Sequence, residues 1–323
     1  MANKGILITG GTGLVGAYAA AMLLEHGERP VLFDIALNER LLEAVGVDTS
    51  KITMVRGDMM DLPALISALR DQDCDRIIHL AAYLGEEVQR RPYSGVRLNF
   101  MGTVNVFEAA RLENVTRVIF PSSGTVYLGA IGEGLKQIDE SIPMNPPSVY
   151  AATKASCEFM GRAYAKRYGF EFICLRYTGG LYGPSPAGLK ATREIAIQQM
   201  IRAAVKGEAA TINWPYGPAE ILYGKDAARG TVLAVMKDTF KETLFHIGNG
   251  VTLSGDDIVA AVRKVFPGAE VSLRKGDNPM PYPESRLASD FSRAKTELGY
   301  EPEYSIEKAV LDYGSTLTKL ESL

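Results

Sequence analysis

Tyr150 and Lys154, four apart in "VYAATKASCEF", set the first chemical expectation. On a helix that spacing puts both side chains on one face. A phenol with a pKa near about 10 is a poor acid–base group at neutral pH. A nearby ammonium favours the phenolate and lowers that pKa. The pair suits moving a proton on or off a hydroxyl while a hydride moves to or from a cofactor. "FPSSGTVY" follows a predicted strand, so Ser123 would lie at the C-terminal edge of a sheet. Ligands bind at that edge in open α/β folds. A hydroxyl there would hold the substrate oxygen beside Tyr150.

Such a site needs a redox partner, and the N-terminal segment "ILITGGTGLVGAYAAAMLLEHG" offers a place for one. Gly10 and Gly13 stand between an apolar run and an alanine-rich helical stretch opened by Leu14 and Val15, and Gly16 follows in its first turn. Gly10 would make the turn, Gly13 would admit a pyrophosphate to the backbone, and Gly16 would pack the helix on the strand. The anion would meet the free amides of the helix N-terminus. A tight strand-to-helix turn without a nucleotide is the alternative. Asp34 narrows that choice. It ends the next strand, where an acid bonds the ribose hydroxyls of NAD and repels the extra phosphate of NADP. Arg40 is the nearby cation. Asp58, in "GDMMD", would either accept from the adenine amino group or cap a turn.

Apolar runs at 5–9, 29–34, 52–58, 76–82, 117–123 and 170–177 read as strands covered on both faces, with helices at 14–26, 62–71, 95–113 and 150–168 between them. This alternation predicts a Rossmann-type α/β fold, a doubly wound parallel sheet with right-handed crossovers. After Tyr177 the texture changes to loops rich in Gly and Pro, a helix at 192–206, a strand at 243–250 returning to the sheet, a helix at 254–266, a strand near 270–273 and a short helix in "SRAKTELGY". The expected division is an NAD-binding domain over 1–177 and a smaller, interleaved substrate-binding lobe over 178–323.

Composition excludes several classes. The 323 residues are 46% hydrophobic and 23% charged, ordinary for a globular protein with a full core. A net charge of -3 gives no field for nucleic acid. No apolar run reaches the roughly 18 residues of a membrane span, and the N-terminus has no signal-like segment. Cys74, Cys157 and Cys174 form neither a disulfide framework nor a metal-ligand pattern, and His26, His79 and His246 are scattered, so no metal is expected. A reducing cytoplasm fits.

Taken together, "TGGTGLVG", "HLAA", "LNFMGTVNVFEAAR", "SSGTVY", "YAATK", "LRYTGGLYGP", "ILYGKDAARG", "FHIGNG" and "DFSRAKTELGYEP" make the sequence similar to an extended short-chain dehydrogenase/reductase of the NAD-dependent epimerase/dehydratase type. The resemblance covers nearly the whole chain. It implies that Ser123, Tyr150 and Lys154 carry catalysis and that NAD is the cofactor. It implies that Asn99 helps position the nicotinamide side, and that Met59, Leu80, Ala81, Ala82 and Tyr177 join the cofactor site. Leu84, Gly85, Gly124, Thr125, Thr178 and Arg286 are the expected substrate-side residues, Arg286 being equally readable as a surface arginine. A homodimer through helices 98–113 and 150–168 is implied as well.

Departures from the family pattern bear on the reaction. Family dehydratases carry acids where this chain has Gly124 and Thr125, so nothing there would protonate a leaving hydroxyl. Sugar-nucleotide enzymes commonly carry Asn in the loop that here reads Thr178, Gly179 and Gly180, and an Arg for the diphosphate where Ala219 stands. The first expectation is an NAD-dependent oxidoreductase of a small polar alcohol such as a sugar, sugar acid or hydroxy acid. The alternative is a sugar-nucleotide epimerase resembling UDP-glucose 4-epimerase, with tightly held NAD. A non-catalytic NAD sensor fits poorly with an intact Ser-Tyr-Lys set.

Overall fold

A computed structural model describes residues 4–131, 135–184, 192–276 and 287–322. The strands in chain order are β1 (Gly5–Thr9), β2 (Arg29–Asp34), β3 (Thr53–Arg56), β4 (Cys74–His79), β5 (Arg117–Ser123), β6 (Gln137–Ile138), β7 (Glu171–Tyr177), β8 (Gly180–Tyr182), β9 (Ala210–Asn213), β10 (Ala219–Tyr223), β11 (Leu244–Ile247), β12 (Thr252–Leu253), β13 (Val271–Arg274) and β14 (Ala288–Ser289). The helices are α1 (Leu14–Glu25), α2 (Glu39–Ala44), α3 (Leu62–Asp71), α4 (Gly85–Arg90), α5 (Pro92–Val96), α6 (Thr103–Leu112), α7 (Val149–Tyr168), α8 (Thr192–Lys206), α9 (Gly224–Met236), α10 (Gly255–Val265), α11 (Ser292–Leu298) and α12 (Ile306–Ser322).

Seven strands form one parallel sheet in the order β3-β2-β1-β4-β5-β7-β11. Strand order reverses between β1 and β4, so the crevice beyond their C-terminal ends is the place where such a sheet takes a ligand. Successive residues of β1 serve opposite faces: Ile6 and Ile8 pack with α1 and α9, while Leu7 packs with α3, α6 and α7. Burial on both faces is why these strands read as unbroken apolar runs. The smaller lobe has its own core, where α8, α10 and α12 meet around Ile197, Met200, Ile258, Val262, Val310 and Tyr313.

The expected single helix over 95–113 is instead α5, a π-helical turn at Arg97–Gly102 and α6. The Asn99 carbonyl in that turn accepts from Thr103 Oγ1 at 2.5 Å and from Cys157 Sγ at 3.3 Å, so side chains of two helices serve it. Wide turns of this kind recur at functional sites. The fourth strand stops at His79, and the expected "LAA" continuation is loop.

Candidate active site

The glycine turn has the shape a dinucleotide needs. Gly10 has φ of 67°, a left-handed conformation. A Cβ on Gly16 would lie 2.6 Å from the carbonyl oxygens of Gly10 and Gly11, so only glycine lets α1 sit this close to the turn. Gly13 is the N-cap of α1 and supplies no side-chain cap, which leaves the first amides of the helix for an anion. Leu14, Val15 and Met59 are buried side chains; Leu14 faces Gly183 and Gly224, and Met59 faces Gly102. Any part they take in holding a cofactor therefore falls to their backbone. Asp34 Oδ2 accepts from Thr12 N at 3.1 Å and from Thr12 Oγ1 at 2.9 Å. Asp58 Oδ1 accepts from Met60 N at 2.9 Å, which is the turn-cap role.

Leu80, Ala81 and Ala82 leave β4 beside this turn; a Cβ on Gly10 would lie 2.9 Å from the Ala81 amide. Asn99 reaches them indirectly. Its side-chain oxygen accepts from Tyr83 N at 2.7 Å and its amide donates to Tyr83 O at 3.0 Å, pinning the loop after β4. The Tyr177 hydroxyl pairs with Thr231 at 2.6 Å, and burial holds it protonated well above the usual tyrosine range. His79 is buried between Thr9 Oγ1 at 2.7 Å and Thr103 Oγ1 at 2.9 Å, and burial pushes it down to about 3, so it is a neutral structural histidine.

Tyr150 lies in the first turn of α7, where the helix dipole favours a negative phenolate. Ser148 caps that helix by accepting from Ala151 N at 3.1 Å, and the Gln89 side chain accepts from Val149 N at 3.3 Å. Lys154 is buried one turn on. Its Nζ donates to the Pro121 carbonyl at 2.8 Å and lies 4.9 Å from the Phe120 ring, so α7 is fastened to β5 two residues before Ser123. Burial pushes the Lys154 ammonium below the usual lysine range. Ser123 Oγ accepts from Thr125 N at 3.2 Å and Thr125 Oγ1 at 2.9 Å, which leaves its own O–H to donate outward. Gly85, at the start of α4, faces the Tyr150 ring: a Cβ there would lie 3.8 Å from Cδ1. Leu84 beside it is exposed.

On the substrate side, Thr178 is buried and its hydroxyl donates to Ser289 Oγ at 2.8 Å, so the expectation that it faces substrate is corrected: its side chain points into the protein. Gly124 packs directly on it, a Cβ there being 2.8 Å from Thr178 Cα. An acid at 124 could not be accommodated without moving the segment after β7. Ala219 is buried in β10 opposite Leu253. The basic residues nearest in sequence are engaged, Arg176 with Glu158 at 2.7 Å and Lys225 with Asp312 at 2.6 Å. Arg286 lies outside the described residues.

Residues 6–248 match the NAD dependent epimerase/dehydratase family. The chain belongs to the NAD-dependent epimerase/dehydratase family. It is an NAD-dependent enzyme of the short-chain dehydrogenase/reductase type. A UDP-glucose 4-epimerase from Corynebacterium glutamicum is 29% identical, over 95% of this chain and 93% of that protein. The structure of UDP-glucose 4-epimerase from Brucella ovis in complex with NAD is 26% identical, with a TM-score of 0.79 over 95% of this chain and 96% of that one. A partial-consensus L-threonine 3-dehydrogenase shares the fold, with a TM-score of 0.82 at 23% identity over 98% of this chain and 99% of that one.

This epimerase/dehydratase-family chain holds the elements that carry Ser123, Tyr150 and Lys154 together through other buried residues. Glu158 is fully buried on α7, one turn beyond Lys154. It accepts from Arg176 Nε at 2.9 Å, Arg176 Nη2 at 2.7 Å and Ser122 Oγ at 2.6 Å. Burial by itself would raise its carboxyl; the bonds and charge of Arg176, with the Ser122 bond, outweigh it and hold the group below the usual range. Arg176 also donates to the Tyr127 hydroxyl, which pairs with His246 Nε2 at 2.7 Å. One buried network thus joins α7, β5, β7 and β11. Its sequence signal was available: Glu158 follows Tyr150 and Lys154 at helical spacing. Glu220, on β10, is the second such residue. It accepts from Asn249 N at 2.6 Å, Gly250 N at 2.7 Å and Ser289 N at 3.1 Å.

Proposed function

We propose that the enzyme oxidises the carbinol of a small polar substrate (a sugar, sugar acid or hydroxy acid) and exchanges its NAD at each turnover. The observation that carries the reaction type is the seating of the Lys154 ammonium on the Pro121 carbonyl at 2.8 Å, one helical turn from Tyr150 and two residues from Ser123. Bound NAD supplies the hydride acceptor, so that a secondary alcohol and NAD⁺ become a ketone, NADH and a proton. Ser123 donates its O–H to the substrate oxygen, because Thr125 already occupies the acceptor side of that hydroxyl. Tyr150 takes the carbinol proton, with Lys154 and the helix N-terminus favouring its phenolate. The amides at the start of α1 hold the pyrophosphate and Asp34 the ribose.

Ala219 favours a substrate without a diphosphate, since burying that charge without a paired cation is costly. The second reading, a sugar-nucleotide 4-epimerase that retains NAD, is favoured by the epimerase relatives at 26–29% identity. Purified protein separates the two. NADH absorbance rising with an alcohol panel, free exchange of NAD and no calorimetric signal from uridine diphosphate support the first reading. Copurifying NAD and micromolar uridine diphosphate binding overturn it in favour of the second. In either case Tyr150→Phe should lower turnover by roughly 10² to 10⁴ with NAD binding nearly unchanged. A cytoplasmic homodimer completes the proposal. The three cysteines are free and buried, and Met101, Leu112, Phe159 and Tyr168 expose apolar surface within the expected contact segments 98–113 and 150–168. No described helix is long and apolar enough to cross a membrane.

A further inference from the structure

Thr12, inside the glycine turn, is nearly fully buried and was not among the residues singled out by motif. Its backbone amide and its hydroxyl both reach the same oxygen of Asp34, Oδ2, at 3.1 and 2.9 Å. The hydroxyl also lies 3.0 Å from the Ala36 carbonyl. The other carboxylate oxygen, Oδ1, has a long contact with Ala36 N at 3.4 Å. Thr12 therefore fixes which oxygen of Asp34 faces inward and which is left to accept from a diol.

The surrounding charges make that orientation matter. Residues 35–38 are Ile, Ala, Leu and Asn, and Glu39 follows. Arg40 donates to the Leu320 carbonyl at 2.9 Å, so its guanidinium is engaged with α12. Along this stretch the means of refusing a 2′-phosphate is the placement of the Asp34 carboxylate. A carboxylate at a strand end has two free torsions; two donors on one oxygen remove that freedom.

We propose that Thr12 is a positioning residue for cofactor selectivity: it orients Asp34 so that the enzyme prefers NAD over NADP. The inference rests on the reading of Asp34 as the ribose ligand. It links the pyrophosphate turn to the ribose site through a single side chain, so that the two halves of the adenosine site are set together.

The test is fluorescence titration of the purified full chain with NADH and NADPH, which needs no substrate. Hydrogen bonds to a charged group support roughly a tenfold effect. Thr12→Val should raise the NADH Kd by about tenfold and narrow the NADPH/NADH ratio by a similar factor, while Thr12→Ser should stay within about threefold of the parent. Thr12→Ala serves if the valine variant folds poorly, with thermal melting checked for each. In an Asp34→Ala background Thr12→Val should change NADH binding less than about twofold, because the two act as one unit. If Asp34→Ala collapses the ratio and Thr12→Val leaves it unchanged, the inference is overturned while the Asp34 reading stands. Equal weakening by Thr12→Val with and without Asp34 also overturns it, since that is what a purely structural threonine would do. If Asp34→Ala leaves the ratio unchanged, both the Asp34 reading and this inference fall.

Discussion

Glu158 and Glu220 are both fully buried carboxylates, yet they are satisfied in opposite ways. Glu158 meets a guanidinium in two parallel bonds, and its carboxyl is held below the usual range. Glu220 meets backbone amides and the Ser289 hydroxyl, and burial raises its carboxyl. The Glu158 side fixes α7, which carries Tyr150 and Lys154, against β7 and against β5, which carries Ser123. The Glu220 side ties β10 to the segments around Asn249 and Ser289. The lesson is that the elements carrying the proposed catalytic residues are locked by paired charge, while β10 and the segments beside it hang on an acceptor served by neutral donors.

The largest break in this contrast is Arg176→Met. It leaves Glu158 buried with Ser122 and the more distant Arg162, at 3.4 Å, as its partners. Removing one partner of a buried pair costs about 3–5 kcal/mol, and urea unfolding should show a loss of that size. Glu220→Gln keeps an acceptor and strands fewer donors, so about 1–3 kcal/mol is expected. Equal losses at the two sites would erase the distinction.

Acid should separate the regions by sign. Glu158 has a lowered folded pKa, so it contributes stability above the ordinary glutamate range that is lost as pH falls through the folded value. Glu220 has a raised folded pKa, so the native state binds its proton first and the penalty of its burial eases as pH falls. His246, in the Glu158 network, is pushed down to about 4 by burial and by the Arg176 charge. His79 is pushed down to about 3 by burial. Both histidines are protonated earlier in the unfolded chain, so their contribution is present above the ordinary histidine pKa and is lost on acidification. Each should cost up to about 2–3 kcal/mol by pH 4.5. In urea series Glu220→Gln should steepen the acid loss between pH 7 and 5, and Glu158→Gln should flatten the loss that follows as pH falls below the ordinary glutamate range.

The contrast also marks what the sequence shows and what it hides. Strands β1, β2, β5 and β7 were legible because burial on both faces leaves an apolar run. Ser123, Tyr150 and Lys154 stand out in the sequence as the proposed catalytic set because their residue types and spacing suit proton transfer, and the structure seats Lys154 on the strand that carries Ser123. The π turn at Arg97–Gly102 was not, since hydrogen bonds from Thr103 and Cys157, not local propensity, go with it. Thr12 was hidden because its partner lies 22 residues away. Strand β10 was not among the strands read from apolar runs because it opens inside "NWPYGPAE", a stretch that reads as loop. Thr178 was misread because its partner Ser289 is 111 residues downstream.

A steric probe tests the seam between the two regions. Gly124→Ala puts a Cβ 2.8 Å from Thr178 Cα and 3.1 Å from its carbonyl oxygen. Both are backbone atoms, so the segment after β7 must move, and overpacking of this kind costs about 1–3 kcal/mol. The shift should pass to the Thr178–Ser289–Glu220 cluster and spare the Glu158 network. Hydrogen exchange that quickens around Asn249 and Ser289, with α7 unchanged, is the expected pattern. Loosening of α7 instead would show that the regions are not separable.

The smallest effect is the sharpest on charge. Ser289 Oγ donates to Glu220 Oε1 at 3.0 Å and accepts from Thr178 at 2.8 Å. Ser289→Ala removes that donor while the Ser289 amide remains on Oε2. At pH 7 the loss should be about 1 kcal/mol, the net worth of one such bond. With one donor fewer, the charged form is less well held and the Glu220 carboxyl should rise further. A protonated carboxyl needs fewer donors, so the cost of Ser289→Ala should shrink as the solution is brought to pH 5. Ser122→Ala, which takes the matching donor from Glu158, should do the reverse in proportion: Arg176 keeps that carboxylate charged, so its cost should stay nearly constant over the same interval. Parallel pH responses from the two serine variants would mean that the guanidinium does not set Glu158 apart.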